Sequence, residues 1–549
     1  MRAADVIVRS LEAHGVARVY CVPGESYLAL LDALHGSRVE VIVCRHESGA
    51  GFMAVAEAKI TGKPAVFMVS RGPGATNGSI AVHVAEQDSV PIVVLIGQVS
   101  RAERSRGAFQ EVDYTQFFGG MAKAVFEVSD GAKMAETCVR AFRLAAEGKP
   151  GPVVISMPED MLDDGYDGPV PEPFPLSQPH HGAGDAARLQ ALIDRAQSPL
   201  IVAGGGFRGL RGSAALRRFA EAQRIPVAVT WKNQDVFDNT SPLYAGHLGF
   251  GNPPKHREVL ARADLIVAVG TRLGDVASLN YAFPTAPVPA QPLIHVYPHG
   301  DPIGKVFHTT LGIIADPIPL LEELSETPRV VSSARESWVT SINGFIREFQ
   351  AFRSPEPTDG VDFGKVVMAI AAQAPKTAAI TLDAGNMSTW VHRHWQMTPD
   401  NLLVGVIAGA MGFGVPSAVA TALADPARMA IVFVGDGGVL MTGQEIATAV
   451  QYGAKIKVVI SDNGSYGTIR THQERHYPNR ISGTELHNPD FAAWARSFGV
   501  KAVGIALGDD IDAKVAEALN HDGASVIHVK SSREALSAFT TLSVLTKAR

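Results

Sequence analysis

The sequence is poor in features that mark several large classes of protein. Its 549 residues include only 3 cysteines, Cys21, Cys44 and Cys138, which are too few and too scattered for a disulfide framework or a zinc site. We expect them to be small buried residues in a reduced compartment. There is no basic tract, and the formal net charge of −6 would repel a nucleic-acid backbone. We therefore expect no nucleic-acid partner.

Long apolar runs are also missing. Segments such as 90–96 are much shorter than the roughly 20 residues that a membrane span needs. Residues 3–14 carry charges along an amphipathic helix pattern and lead into a strand at 18–22, which is unlike a signal peptide. We therefore expect no membrane partner and a cytoplasmic location.

The chain organisation follows from two breaks in an otherwise globular composition. With 46% hydrophobic and 19% charged residues, a chain of this length should hold about three domains. The breaks are 163–185, rich in Gly, Pro, His and Asp, and 353–362, RSPEPTDGVD. The pattern predicts an α/β protein with three consecutive Rossmann-like domains and mainly parallel sheets, over 1–165, 186–330 and 360–549.

The stretch 431–470 carries the strongest chemical signal. It reads as a strand at 431–434, a turn made of Gly435, Asp436, Gly437 and Gly438, a helix at 445–452 and a second strand at 456–460. This is a βαβ unit, whose strands should be parallel. A glycine turn at the carboxyl end of such a strand offers backbone amides to a phosphate.

A carboxylate in this turn suggests a cation. Asp436 would stand beside the phosphate, and Asn463, at the end of the next strand, offers an amide oxygen to the same point. Mg²⁺ prefers oxygen ligands and commonly binds protein oxygens and phosphate oxygens at the same time. The alternative is that GDGG is only a turn, because a lone glycine motif is a weak signal.

The spacing between this tetrad and Asn463 resembles the Gly-Asp-Gly to Asn-Asn signature of thiamine diphosphate-dependent enzymes. The resemblance implies that Asp436, the side chain of Asn463 and the backbone carbonyl of Ser465 hold Mg²⁺. Gly435, Gly437, Gly438 and Tyr466 would then line the cofactor site. One departure is Asp462, where the family usually has Asn.

A second constellation lies in the first domain. A strand at 39–45 leads to Glu47, and a strand at 65–70 leads to the glycine-rich loop 71–77, so both reach one edge of a parallel sheet. Taken alone, Glu47 reads as a helix-start carboxylate. The stretch 45–78, however, resembles the amino-terminal domain of the acetolactate synthase branch of this family. The resemblance implies that Glu47 hydrogen-bonds the aminopyrimidine ring and relays the proton that leaves the thiazolium C2.

Three further segments resemble the same branch. The motif GAFQEVD at 107–113 implies that Phe109 and Gln110 pack and orient an acceptor substrate; a core Phe and a surface Gln are the alternative. The motif GAMGFGVP at 409–416 implies that the carbonyl of Gly409 accepts from the 4′-amino group and that Met411 wedges between the two rings of a bent cofactor. Core filling is the alternative for Met411.

The segment DAGNMS at 383–388 is a weaker match. Asn386 there is expected to contact the diphosphate, although helix capping would explain the same residue. With these segments the resemblance covers nearly the whole chain. In this family the amino-terminal domain of one subunit faces the carboxyl-terminal domain of another, which implies a homodimer or homotetramer with the site at the subunit interface.

The resemblance implies a carboligase that decarboxylates a 2-oxo acid and transfers the activated aldehyde to an acceptor carbonyl. A decarboxylase or an aldehyde lyase of the same family is the alternative. Acetolactate synthases place a Trp just after the metal motif, whereas this chain has YGTIRTHQ at 466–473, so we expect the pocket that selects a second 2-oxo acid to differ. The family's decarboxylase histidine patterns are absent, and His83 and His472 are weak substitutes. A catalytically silent binding or regulatory subunit is the non-enzyme alternative.

The central domain is expected to be Rossmann-like around PLIVAGGG at 199–206. It retains Gly270 and Arg272, around which flavin-binding relatives of the family carry acidic and basic residues, but the segments that follow differ. We do not favour FAD there, since another nucleotide or a fold with no ligand would explain the glycines equally well.

Overall fold

The computed structural model describes residues 1–547 and contains three parallel sheets of six strands each, flanked by helices. The predicted α/β class with three Rossmann-like sheets is therefore confirmed. Residues 548–549, the end of the predicted third domain, lie outside the described residues. No helix within the described part is both long and apolar enough to cross a membrane. Cys21, Cys44 and Cys138 are buried free thiols, as expected.

The first sheet is formed by residues 18–158. Its strands are β1 Arg18–Cys21, β2 Glu40–Val43, β3 Ala65–Val69, β4 Ile92–Gln98, β5 Ala124–Glu127 and β6 Pro152–Pro158. Its helices are α1 Ala3–Ala13, α2 Leu28–Leu34, α3 Glu47–Thr61, α4 Pro73–Asp88, α5 Tyr114–Phe118 and α6 Met134–Ala146. The strand order is β2-β1-β3-β4-β6-β5, so the direction of winding reverses between β1 and β3.

The central sheet has the strand order of a dinucleotide-binding Rossmann fold. Its strands are β7 Pro199–Ala203, β8 Val227–Thr230, β9 Tyr244–Leu248, β10 Leu265–Val269, β11 Leu293–Tyr297 and β12 Leu311–Ile314. Its helices are α7 Asp185–Arg195, α8 Leu210–Gln223, α9 Pro254–Leu260, α10 Pro317–Ser325 and α11 Ser333–Gln350. The order β9-β8-β7-β10-β11-β12 reverses its winding between β7 and β10.

The third sheet repeats the strand order of the first. Its strands are β13 Ala379–Leu382, β14 Leu402–Gly405, β15 Ala430–Gly435, β16 Ile456–Asp462, β17 Lys501–Ile505 and β18 Ser525–Lys530, in the order β14-β13-β15-β16-β18-β17. Its helices are α12 Phe363–Gln373, α13 Ser388–His394, α14 Gly414–Ala424, α15 Asp436–Thr442, α16 Ile446–Gln451, α17 Gly467–His476, α18 Phe491–Arg496, α19 Ile511–Leu519 and α20 Leu542–Lys547. The winding reverses between β13 and β15, and parallel sheets bind ligands at the carboxyl ends of such strands.

The chain forms two compact units. The first contains Met1–Ser177, Ala379–Gly385 and Val404–Arg533, and the second contains Gln178–Ala378, Asn386–Leu403 and the chain from Glu534 onward. The boundaries 1–165, 186–330 and 360–549 stay a prediction. Helix α11 lies beyond the boundary at 330, and its Trp338 donates a hydrogen bond of 2.8 Å from Nε1 to the carbonyl of Pro199 in β7.

Strand β15 and the segment after it differ from the sequence pattern at one point. The expected turn at Gly435–Gly438 is the first turn of a helix, because α15 begins at Asp436 directly after β15. A 3₁₀ turn, Gly443–Glu445, then joins α15 to α16. The start of α15 is not visible in the sequence, because its two glycines have no side chains and so add nothing to an apolar helical pattern.

Candidate active site

The predicted metal ligands meet at the carboxyl edge of the third sheet. Asp436 follows β15, and Asn463 and Ser465 follow the neighbouring strand β16. The Oδ2 atom of Asp436 accepts from the backbone N–H of Gly464 at 2.8 Å and of Ser465 at 3.3 Å, while Oδ1 accepts from Gly437 N at 2.9 Å. The Oδ1 atom of Asn463 accepts from Ser465 N at 3.1 Å. These hydrogen bonds therefore hold the three oxygen-bearing residues close to one another.

Asp436 is a buried carboxylate that forms no ion pair with another described residue. It is 3% exposed, and its fourth partner is the side-chain amide of Asn488, at 2.8 Å from Oδ2. Burial, together with the nearby carboxylate of Asp462, raises the pKa of Asp436. A divalent cation would offset both effects, and carboxylate, amide and carbonyl oxygens are the ligands that Mg²⁺ prefers. The residues present therefore fit Mg²⁺.

Asp462, the residue that departs from the family pattern, is occupied by other partners. Its Oδ2 atom accepts from His528 Nε2 at 2.8 Å and from Lys530 Nζ at 2.7 Å, and its Oδ1 accepts from Asn488 at 2.8 Å. Burial alone would raise the pKa of Asp462, but the hydrogen bonds from His528, Lys530 and Asn488 outweigh it and lower that pKa far below the usual range. The negative charge of Asp462 is thus balanced within the protein.

The glycines of the β15–α15 junction leave space that a side chain would fill. A Cβ at Gly437 would lie 2.4 Å from Cε1 of Tyr466, so the Tyr466 ring stacks directly over this backbone. Gly435 is the residue before α15, and Gly438 lies in its first turn. Gly435, Gly437, Gly438 and Tyr466 therefore line the same edge as Asp436, where the predicted diphosphate would bind.

A second loop reaches this edge from α14. Asp383, which follows β13, accepts from the backbone N–H of Gly412 at 3.1 Å and of Gly414 at 2.8 Å. Its side chain thereby fixes the end of the segment that contains Gly409 and Met411. Gly409 is exposed, with φ +66°, and Met411 is half-buried. Asp383 and Asp436 flank the point where the winding of the third sheet reverses.

The first-domain candidates meet at the carboxyl edge of the first sheet. Glu47 begins α3 and packs against Gly74, and its Oε2 accepts a hydrogen bond of 3.0 Å from the side-chain amide of Asn77 in α4. Gln110 packs directly against Gly72 and has φ +63°. The Oε1 atom of Gln110 is buried and has no hydrogen-bond partner among the described residues. An unpaired buried amide oxygen is costly, so it is a candidate for contact with a ligand.

The remaining candidates are Phe109, Asn386 and the two histidines. Phe109 is 76% exposed, so the core-residue alternative does not hold for it. Asn386 belongs to the second compact unit, where its carbonyl accepts from Thr389 N at 2.9 Å. His83 and His472 are exposed on α4 and α17.

The glycines of the central sheet have a packing explanation. Gly206 N donates to the carbonyl of Gly270 at 3.0 Å, and a Cβ at Gly204 would lie 2.5 Å from that same carbonyl oxygen. The ends of β7 and β10 therefore touch through backbone atoms. This contact accounts for the motif PLIVAGGG without a bound nucleotide.

Comparison with known proteins identifies the family. Three thiamine pyrophosphate enzyme models match the chain: the N-terminal binding domain over residues 1–117, the central domain over 186–324 and the C-terminal binding domain over 383–529. An acetolactate synthase large subunit from Parasynechococcus marenigrum is 32% identical over 96% of this chain and 87% of its own length. The chain belongs to the thiamine pyrophosphate enzyme family.

Two further relatives in the thiamine pyrophosphate enzyme family carry similar names. The acetolactate synthase isozyme 2 large subunit of Escherichia coli is 30% identical, over 96% of this chain and 95% of its own. A probable acetolactate synthase large subunit of Methanocaldococcus jannaschii is 31% identical, over 94% and 90%. The chain is therefore a thiamine pyrophosphate-dependent enzyme, and thiamine pyrophosphate is the compound called thiamine diphosphate above.

Asp383 and Asn488 were not predicted as members of this site. Asp383 stands in the DAGNMS segment, in which only Asn386 was singled out, and Asn488 lies in the chain between α17 and α18. A carboxylate directly after a buried strand was an available signal for Asp383. Asn488 gave no such signal, because its two carboxylate partners lie 26 and 52 residues away in the sequence.

Proposed function

We propose that this enzyme is a thiamine diphosphate- and Mg²⁺-dependent carboligase that acts on a 2-oxo acid, as the named acetolactate synthase relatives suggest. The observation that carries the proposal is the arrangement at the third sheet edge, where Asp436, Asn463 and Ser465 present oxygen atoms beside the start of α15. When bound, thiamine diphosphate supplies a carbon nucleophile that adds to a 2-oxo acid and accepts the electrons released with CO₂.

The third domain would bind and orient the charged end of the cofactor. Asp436, the side chain of Asn463 and the carbonyl of Ser465 would hold Mg²⁺, whose charge would offset that of the diphosphate. Gly435, Gly437 and Gly438 would leave the backbone amides accessible to phosphate. Asn386 stays a candidate for the diphosphate as well.

The ring end of the cofactor would be held by the segment that Asp383 fixes. The carbonyl of Gly409 would accept from the amino group of the pyrimidine, and Met411 would pack between the two rings. Tyr466 would cover the diphosphate side. Because this segment is tied down by the two hydrogen bonds of Asp383, little ordering cost remains for binding.

Glu47 would hold the proton that activates the cofactor. A carboxyl group at Oε1 or Oε2 of Glu47 can protonate a ring nitrogen and accept the proton back, which is general acid–base catalysis. Asn77 leaves one carboxylate oxygen of Glu47 available, since its single hydrogen bond goes to Oε2. Gln110, with its unpaired Oε1, and the exposed ring of Phe109 would orient the acceptor carbonyl.

The assembly that we propose is a homodimer or homotetramer in which the first domain of one subunit completes the cofactor site of another. The two candidate groups, Glu47 with Gln110 and Asp436 with Asn463, stand at the edges of two different sheets. We further propose that the enzyme is cytoplasmic and acts on small-molecule substrates. FAD is not part of the proposal.

Proton NMR of the purified enzyme with pyruvate, thiamine diphosphate and Mg²⁺ tests the reaction. We expect acetolactate, and the Glu47→Gln variant should give none. Acetolactate would make the missing Trp after the metal motif a matter of specificity, and acetaldehyde alone would make the enzyme a decarboxylase. If pyruvate is not consumed, other 2-oxo acids should be tried with the C2-proton exchange of the cofactor as a check. Absence of exchange in the wild type would contradict the proposed function and point to a silent binding subunit.

A further inference from the structure

Two buried carboxylates link the first-sheet and third-sheet parts of the chain, and each belongs to one part and binds backbone of the other. Glu445 lies in the third-sheet part of the chain, directly before α16, and is 0% exposed. Asp88 ends α4 in the first-sheet part, and its side chain also has 0% exposure. Both belong to the first compact unit. Neither is part of the candidate metal or substrate groups described above.

Glu445 binds the chain that precedes Glu47. Its Oε1 atom accepts from the backbone N–H of Arg45 at 3.0 Å and of His46 at 3.0 Å. Its Oε2 atom accepts from Thr448 Oγ1 at 2.6 Å. Arg45 and His46 join the end of β2 to the start of α3, so this carboxylate fixes the point at which α3 begins.

The close approach of Glu445 depends on a missing side chain. A Cβ at Gly49, in the first turn of α3, would lie 2.5 Å from Oε1 of Glu445. Tyr452, directly after α16, also binds this region. Its hydroxyl accepts a hydrogen bond from Val43 N at 2.8 Å and donates one to Val41 O at 3.1 Å. The end of β2 and the start of α3 are thus held from the third-sheet side.

Asp88 makes the reverse connection. Its carboxylate accepts from the backbone N–H of Ile407 at 2.9 and 3.0 Å and of Ala408 at 3.3 Å, and it pairs with Lys59 Nζ at 2.7 Å. Ile407 and Ala408 directly precede Gly409. The first-sheet domain thus fixes the chain that leads into the segment proposed to hold the cofactor rings.

We infer that Glu445 and Asp88 are positioning residues, Glu445 for the proton relay at Glu47 and Asp88 for the cofactor segment at Gly409 and Met411. The inference rests on the proposed function. Each carboxylate binds two consecutive backbone amides that end next to a residue expected to contact the cofactor. Hydrogen bonds from amides to a carboxylate are about twice as strong as neutral ones, and a displacement of about 1 Å at such a site can reduce a rate about 100-fold.

The two roles predict losses in different quantities, exchange rate for Glu445 and cofactor affinity for Asp88, which a general loss of stability would not give. In Glu445→Gln the cofactor should bind with a Kd within about threefold of the wild type, because Asp436, Asn463 and Ser465 are untouched. The rate of C2-proton exchange per bound cofactor should fall about 10- to 100-fold, because Glu47 is displaced. In Asp88→Asn the Kd should rise about tenfold or more, because the ring-binding segment is loosened, while exchange in the saturated enzyme should fall less than in Glu445→Gln.

Glu57→Gln is the matched control. Glu57 is a buried carboxylate in the middle of α3, with Arg18 and Tyr20 as partners, so its loss strains the same helix without touching its start. We expect exchange per bound cofactor to be unchanged. If Glu445→Gln does not fold, Gly49→Ala should also leave the Kd unchanged and slow the exchange, because its Cβ would displace the Glu445 carboxylate.

The measurements are cofactor titration and exchange of the C2 proton by NMR, on the full-length enzyme with saturating Mg²⁺. Wild-type exchange in saturated Glu445→Gln would overturn the role of Glu445, and an equal loss in Glu57→Gln would reduce it to general packing of α3. An unchanged Kd in Asp88→Asn would overturn the role of Asp88. Fast exchange in Glu47→Gln would instead contradict the proton relay of the proposed function, and absent exchange in the wild type would contradict that function itself, so the failures are distinguishable.

Discussion

Asn77 donates its side-chain amide to Oε2 of Glu47 at 3.0 Å, and this hydrogen bond joins the starts of α3 and α4. The two helices follow β2 and β3, so the pair exists only because both strands end at the same edge. It orients the carboxylate that we propose as the proton relay. We therefore expect cofactor activation to slow when this hydrogen bond is removed.

Asn77→Ala should slow C2-proton exchange about 3- to 10-fold, since a net hydrogen bond contributes about 0.5–1.5 kcal/mol to the orientation of Glu47. Exchange by NMR in the cofactor-saturated enzyme measures it. Ser79→Ala is the control, because Ser79 is half-buried on the same helix and its hydroxyl donates to the local carbonyl of Thr76. If Asn77→Ala exchanged at the wild-type rate, Asn77 would have no role in orienting Glu47.

The carboxylates of Asp436 and Asp462 should respond differently to the same change. Asp436→Asn removes the proposed metal ligand, so Mg²⁺ with thiamine diphosphate should no longer raise the Tm. Asp462→Asn should retain that rise, with metal affinity within about tenfold (~1.4 kcal/mol), because the Asp462 carboxylate is already paired with Lys530 and hydrogen-bonded to His528. Its apo form should lose about 1–3 kcal/mol, because those two donors lose a buried acceptor.

A thermal shift titration measures both variants. Loss of the metal-induced shift in Asp462→Asn alone would make Asp462, and not Asp436, the essential carboxylate. That outcome would contradict the ligand set proposed here.

Gly437→Ala should weaken cofactor binding about tenfold or more (~1.4 kcal/mol). The new methyl group would stand 2.4 Å from the ring of Tyr466, so the ring must leave its place over the start of α15. Isothermal titration of thiamine diphosphate with Mg²⁺ measures the change. Gly344→Ala is the control, since a Cβ there meets nothing within 4 Å and α11 lies in the other compact unit. Unchanged affinity in Gly437→Ala would mean that the Tyr466 ring does not contribute to the diphosphate site.

The sequence predicted the βαβ unit at 431–470 and the positions of Asp436 and Asn463, because buried parallel strands are continuous apolar runs and their ends are visible as polar residues. It did not predict Asp88, Asp383 or Glu445. Their partners are backbone amides far along the chain, and an amide has no side chain to mark it. Contacts of this kind depend on tertiary structure, which local patterns do not encode.

The buried histidines of the second unit should make its stability depend on pH. Burial lowers the pKa of His247 to about 3 and that of His256 to about 4, whereas an unfolded histidine titrates near 6.5. Below pH ~6.5 the unfolded state therefore binds protons that the folded state does not. The contribution to stability is complete above that pH and is lost as the pH falls toward the folded values.

Between pH 7.5 and 5.5 each of these histidines should cost the folded state about 1.4 kcal/mol. His247→Gln removes one titrating group, so its Tm should fall by about 2 to 4 °C less than that of the wild type over this interval. Scanning calorimetry of the apo enzyme at the two pH values measures the difference. An identical fall in both proteins would mean that His247 is already protonated in the fold, which its position at 3% exposure with an unpaired Nε2 argues against.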